Sequence, residues 1–242
     1  MAITINYQLS IFGTYSVEPT PENITLLMTK INQETDKIFL PNLITGQKIE
    51  IPTNKITTTS NLGYITQNQK YKLSILNDRI DISYDRIDDI EPCINEFFDF
   101  AVKVLRVVME TCNLQARRLA ANIEILADEL CEDQIYQIGK NIISGVNYYK
   151  NRPFMEWSAR INSESIVQIN GTEENLNTIL NITTAKIDPA QKISVIYHLD
   201  INTLPQLTEL RFNATSLSEF TNEVLPIVKT VLSDVEELIS ID

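Results

Sequence analysis

The chain has 242 residues, with 20 Lys and Arg against 32 Asp and Glu, for a formal net charge of -12. This length suits one large domain or two small ones, and the acidic balance disfavours a polyanion or an anionic membrane surface, since both recruit clustered Lys and Arg. No run of about 18 apolar residues occurs, and the first residues, MAITINYQLSIFG, lack a basic leader segment, so the expectation is a cytoplasmic protein with no membrane partner and nucleic acid ranked low.

In chain order, residues 3–12 alternate as a strand. Thr20-Pro21-Glu22 then opens a helix to about Gln33, with Ile24, Leu27, Met28 and Ile31 on one stripe. Residues 37–67 read as short strands with turns at Pro41-Asn42, Thr45-Gly46 and Asn61 to Gly63. A hairpin follows. Tyr71, Leu73 and Ile75 share one face and Ile80, Ile82 and Tyr84 the matching one, with Asn77-Asp78 as a two-residue type I′ loop and a wet opposite face carrying Arg79, Asp81 and Ser83. Asp88, Asp89 and Glu91 suit the positive end of the next helix, Pro92 suits its first turn, and Ile94, Phe97, Phe98, Ala101, Leu105 and Val108 form its apolar stripe.

The pattern then restarts. Residues 115–126 alternate, a helix at about 131–144 carries Ile135, Ile138 and Ile142 with Gly145 as its stop, and strands follow at about 155–169, 175–187 and 191–201. The last helix, 216–239, opens on a capping box, Ser216 to Glu219. It keeps Phe220, Val224, Ile227, Val231, Val235 and Leu238 on one face and is kinked by Pro226. Residues 1–113 and 114–242 therefore share one order: strand, short helix, strands, long helix. The fold class is α+β, with mainly antiparallel sheets, helices on one face, and an internal duplication whose halves form one compact unit sharing a core.

The run KLSILNDRIDISYDR, the long helix after it and the strand ARRLAANIEIL together resemble the central part of an uncharacterised, sporadically distributed family of bacterial and phage-borne proteins. The resemblance covers roughly residues 71–126, about a quarter of the chain. It implies no biochemistry. Its patchy distribution implies a component of bacterial defence or phage counter-defence.

Chemistry-bearing candidates are few. Cys93, Cys112 and Cys131 are odd in number and far apart, which fits buried free thiols rather than disulfides or a zinc site, so no metal and no cofactor is expected. His198, the only histidine, shares one face of a strand with Ser194 and Ile196. Arg117 and Arg118 open another strand on alternating faces, so that one guanidinium is sheltered beside a hairpin carboxylate. Together with His198 they are the anion or ligand candidates. No catalytic residue is assigned. Interaction candidates are Tyr148, Tyr149 and Arg152 in an aromatic loop, Trp157 just beyond it, and Asp234, Glu236 and Glu237 on the last helix. The leading reading is a non-enzymatic interaction protein presenting an acidic surface to a protein partner, with room for a homo-oligomer. The alternative is a small-ligand or nucleotide-handling enzyme with its site between the halves, and an acidic nucleic-acid mimic ranks last.

Overall fold

The computed structural model describes residues 2–50, 55–86, 92–127, 130–142, 156–187 and 192–239. Among these, the elements run β1 (Ala2–Phe12), α1 (Pro21–Glu34), β2 (Phe39–Pro41), β3 (Ile44–Glu50), β4 (Lys55–Thr66), β5 (Tyr71–Ile75), β6 (Arg79–Asp85) and α2 (Ile94–Thr111) in the first half. The second half holds β7 (Arg118–Ala127), α3 (Glu132–Ile142), β8 (Ser158–Ile169), β9 (Thr172–Ile187), β10 (Lys192–Thr203) and α4 (Ala214–Ile239).

The α+β class and the antiparallel pairing are as expected, and the strands of both halves join in one sheet ordered β2-β4-β5-β6-β1-β7-β10-β9-β8, with β3 also on β4. From its centre outward the first half reads β1, β6, β5, β4, β2 and the second β7, β10, β9, β8, so each half places its first strand innermost and then its later strands in reverse order, with β2 and β3 extra in the first half. The two innermost strands form the seam. β1 pairs antiparallel with β7 from Ala2 opposite Ala127 to Phe12 opposite Arg118, with one register shift between Thr4 and Asn6.

Alternation explains how this sheet acquires one dry face. Tyr7, Leu9 and Ile11 of β1, Ile80, Ile82 and Tyr84 of β6, Leu119, Ala121 and Ile123 of β7, and Tyr197, Leu199 and Ile201 of β10 are all buried against the helices. α2 lies on β1 and β6 with α1 and α4 on its two flanks, and α4 also reaches β7 and β8. Those neighbours explain why α2 buries Phe100, Val102, Val104, Val107 and Met109 beyond the single expected stripe. Phe97 anchors it, stacked on Tyr7 at 5.2 Å between ring centroids. Burial of one such ring is worth roughly 1.5–3 kcal/mol.

Several local expectations are corrected. Thr45-Gly46 lies within β3 and Asn61 to Gly63 within β4. Gly63 serves close approach rather than turning, because a Cβ there would collide with the Asn42 carbonyl oxygen, and the Gly63 carbonyl accepts from the Asn42 N–H at 2.8 Å. Neither Asn77 nor Asp78 has positive φ, so the hairpin loop is not type I′. Their carbonyls instead accept from the N–H groups of Tyr15 (2.7 Å) and Gly13 (3.0 Å), which ties the loop to the end of β1. Pro92 precedes the helix: Cys93 is the N-cap of α2, and Glu96 reaches back to its N–H at 3.0 Å. Cys131 has the equivalent role before α3, its N–H donating to Gln134 Oε1 at 3.0 Å. Cys93 and Cys131 are thus exposed and Cys112 half-buried, because helix caps lie outside the core.

α4 is capped by Asn213 rather than Ser216. Asn213 Oδ1 accepts from the N–H groups of Thr215 (3.0 Å) and Ser216 (3.2 Å), and Ser216 Oγ accepts from the Asn213 N–H at 2.9 Å. On α4, Leu217, Phe220, Val224, Val228 and Val235 are buried, while Ile227, Val231 and Leu238 are only partly covered. The helix continues through Pro226, whose exposed position leaves the freed Asn222 carbonyl to water. Asp88, Asp89, Glu91 and Gly145 lie outside the described residues.

Candidate functional site

The three ligand candidates are not brought together. Arg118 begins β7 on the sheet face away from the helices, with its guanidinium 4.6 Å from the Phe12 ring centroid rather than paired with a hairpin carboxylate. Burial lowers its proton affinity, and the Asp200 carboxylate opposes that. Arg117 instead faces Tyr15, whose hydroxyl burial pushes above its ordinary range while Arg117 pulls it back. His198 sits on β10 opposite Glu124 and Asn181. Since Glu124 is six positions along β7 from Arg118, His198 is roughly 20 Å from it. No described side chain bonds the imidazole to make it a general base.

Of the interaction candidates, Asp234, Glu236 and Glu237 are exposed on α4. Trp157 is corrected: it is only 8% exposed, its backbone N–H bonds Thr184 at 3.4 Å, and its ring therefore packs at the sheet end instead of serving as a surface anchor. Tyr148, Tyr149 and Arg152 lie outside the described residues.

Two adjoining clefts open on the helix layer. One, of about 500 Å³, lies between α1 and α2 and is lined by Lys30, Glu34, Lys103, Arg106, Glu110 and Thr111. Its neighbour, of about 510 Å³, runs past Lys37, Tyr71, Glu96, Asp99 and Phe100, with the Lys37 ammonium 5.0 Å from the Tyr71 ring centroid. Both signs of charge alternate along these walls. Such alternation is what the outer faces of two amphipathic helices leave at their seam, so the clefts favour no particular ligand.

The sheet face opposite the helices is chemically richer. No described helix covers it, and it spans the β1–β7 seam with Lys72, Gln8, Asn122 and Asp200 in one row and Ser74, Asp81, Ser10, Ala120 and Asn202 in the next. The second row is a floor of small or buried residues: Ser10 and Asn202 are almost inaccessible, and Asp81 is 7% exposed, not wet as alternation alone implies. Asp81 Oδ2 is 2.9 Å from Arg79 Nε, yet its Oδ1 is buried with no hydrogen-bond partner. Burial raises the carboxyl above its usual 3.8, while the Ser10 hydroxyl and the Arg79 charge oppose the shift. Gln8 Nε2 donates to Ser10 Oγ at 2.8 Å and Asn202 Nδ2 to Asp200 Oδ1 at 3.0 Å, so polar side chains bond one another along this face. Among the described residues no cluster of three or more His, Cys, Asp or Glu could hold a metal ion.

A second cluster, absent from the sequence reading, fixes how the two ends of the second half meet. Arg211 donates to Glu174 through Nε at 2.7 Å and Nη2 at 3.2 Å, bonds the Arg117 carbonyl through Nη1, and rests 4.5 Å from the Phe212 ring centroid. Asn170, in the β8–β9 turn, donates its side chain to Ser216 Oγ at 2.7 Å and its backbone N–H to Glu219. These bonds pin the hairpin turn to the start of α4. They form a structural clamp, since every strong polar group in it is already partnered. The chain matches no protein-family model and no curated protein sequence.

Proposed function

We propose that this is a non-catalytic interaction protein whose partner lies on the open polar face of the sheet. The observation that carries the reading is the row of polar groups that crosses the β1–β7 seam, with the Asp81 carboxylate buried beside Ser10 on a face that no described helix covers. Polar side chains already bonded to one another along the strands lose little rotamer freedom when a partner docks over them. Arg117, Arg118 and His198 lie apart, which supports the non-catalytic reading. The charge of -12 favours a partner with a basic or neutral surface. A role in bacterial defence or phage counter-defence rests on the family resemblance and supplies the biological setting of this proposal.

A small-ligand site on the same face is the second reading, favoured by two buried polar atoms without a partner, Asp81 Oδ1 on β6 and Arg118 Nε on β7, which lie roughly 12 Å apart with β1 between them. Photo-crosslinking residues placed at Gln8, Asn122 or His198, with Lys103 on the helix layer as control, separate the outcomes. The proposal expects a protein adduct from the sheet-face positions alone. Adducts confined to Lys103 refute the assigned face, and a small molecule retained by the wild type but lost from Asp81→Asn favours the second reading.

A further inference from the structure

We infer that the outer edge of β8 is a docking strand for a second copy of this chain, joining two sheets across a two-fold axis at Asn162. β8 ends the sheet. Among the described residues only β9 pairs with it, in unbroken register from Ser158 opposite Thr183 to Ile169 opposite Thr172. A free edge offers backbone donors and acceptors to any extended chain, and monomeric proteins blunt it with Lys, Pro or a bulge. The β8 sequence SARINSESIVQI has no Lys and no Pro, and its pairing has no bulge. Instead Ile161 and Ile166 are 56% and 66% exposed, one on each face of the strand.

The first half of the molecule shows the alternative arrangement. β4 holds the position equivalent to β8, and its outer edge is covered by β2 and β3 of the same chain. No described strand does this for β8. The edge is also held in place: the β8–β9 turn is fastened to α4 through Asn170, so little order has to be gained on docking.

Charge selects the register. In an antiparallel pair the residues opposite each other share a face, so a two-fold axis must fall on a residue and not between two. Axes at Arg160 or at Glu164 set like charges against each other. An axis at Asn162 sets Arg160 against the second copy's Glu164, twice by symmetry, and neither residue has an ion pair within its own chain among the described residues. Ile161 then lies diagonal to the second copy's Ile161, and Ile166 lies opposite its Ser158. The pairing consumes one edge of each copy, so it closes as a dimer, and both open polar faces end on the same side.

Sedimentation velocity of the full chain over a concentration series tests this, with far-ultraviolet circular dichroism confirming that each variant is folded. The wild type is expected to dimerise. Arg160→Glu, which sets Glu against Glu twice, is expected to raise the dimer dissociation constant at least ~10-fold. The swap Arg160→Glu with Glu164→Arg is expected to restore it, because each pair is again of opposite sign. A wild type that stays monomeric, a dimer indifferent to Arg160→Glu, or a swap that fails to restore association would each overturn the inference.

Discussion

Replacing Arg211 by Met removes the charge and the donors of the clamp while keeping much of the side-chain volume. Glu174 would be left with its carboxylate 6% exposed and without the two bonds of 2.7 and 3.2 Å that now hold it, and the Arg117 carbonyl would lose its donor. A surface ion pair lost in this way costs about 0–1 kcal/mol, but breaking a buried one costs about 3–5 kcal/mol, because the remaining charge stays desolvated. The low exposure on both sides, 17% for Arg211 and 6% for Glu174, places this pair in the second class. For a chain of this size the loss corresponds to a fall in Tm of about 6–20 °C. Urea or thermal denaturation of Arg211→Met measures it. The double variant Arg211→Met with Glu174→Leu is expected to recover much of the loss, since an apolar pair of similar volume no longer buries a lone charge. A single-variant cost below about 1 kcal/mol, or a double variant as unstable as the sum of its parts, would place the pair among surface bridges instead.

Asp81 predicts a pH signature. Its folded-state value is raised above 3.8, so the folded chain holds this proton after the unfolded chain has released it, and stability is lost as pH rises through that interval. Wild type should therefore lose stability relative to Asp81→Asn between about pH 4 and the raised value and then run parallel to it, with denaturation midpoints as readout; a gap that moves the other way would refute the assignment. Asn213→Ala should cost about 1 kcal/mol by freeing the first N–H groups of α4, whereas a change indistinguishable from zero would return the cap to Ser216.

The legible part of the fold was the part written in periodicity. Alternation at Tyr71 to Tyr84 and the helical stripe of α2 identified the hairpin and the helix because each presents one dry face, and the repeated order of elements anticipated the matching strand orders. Gly63 misled because glycine signals both turns and close backbone approach, and only the neighbouring Asn42 carbonyl distinguishes them. Ser216 and Glu219 fit a capping box by spacing, yet Asn213 begins the helix and Glu219 serves the β8–β9 turn. Alternation gives the face of Asp81 and not its depth; Ser10, its partner on the neighbouring β1, helps to set that depth. The Arg211–Glu174 pair joins a loop to a strand across 37 residues and leaves no local pattern.

Both the partner surface and the dimer edge depend on one structural claim, that the two halves share a single sheet through the β1–β7 seam. Native-state hydrogen exchange at Leu9 and Ile11 of β1 and at Leu119, Ala121 and Ile123 of β7 tests it directly, because these buried residues sit on the seam from both sides. A single shared sheet requires all five amides to exchange only through global unfolding, with the same free energy and the same denaturant dependence. Two separate exchange isotherms, one for each half, would contradict it.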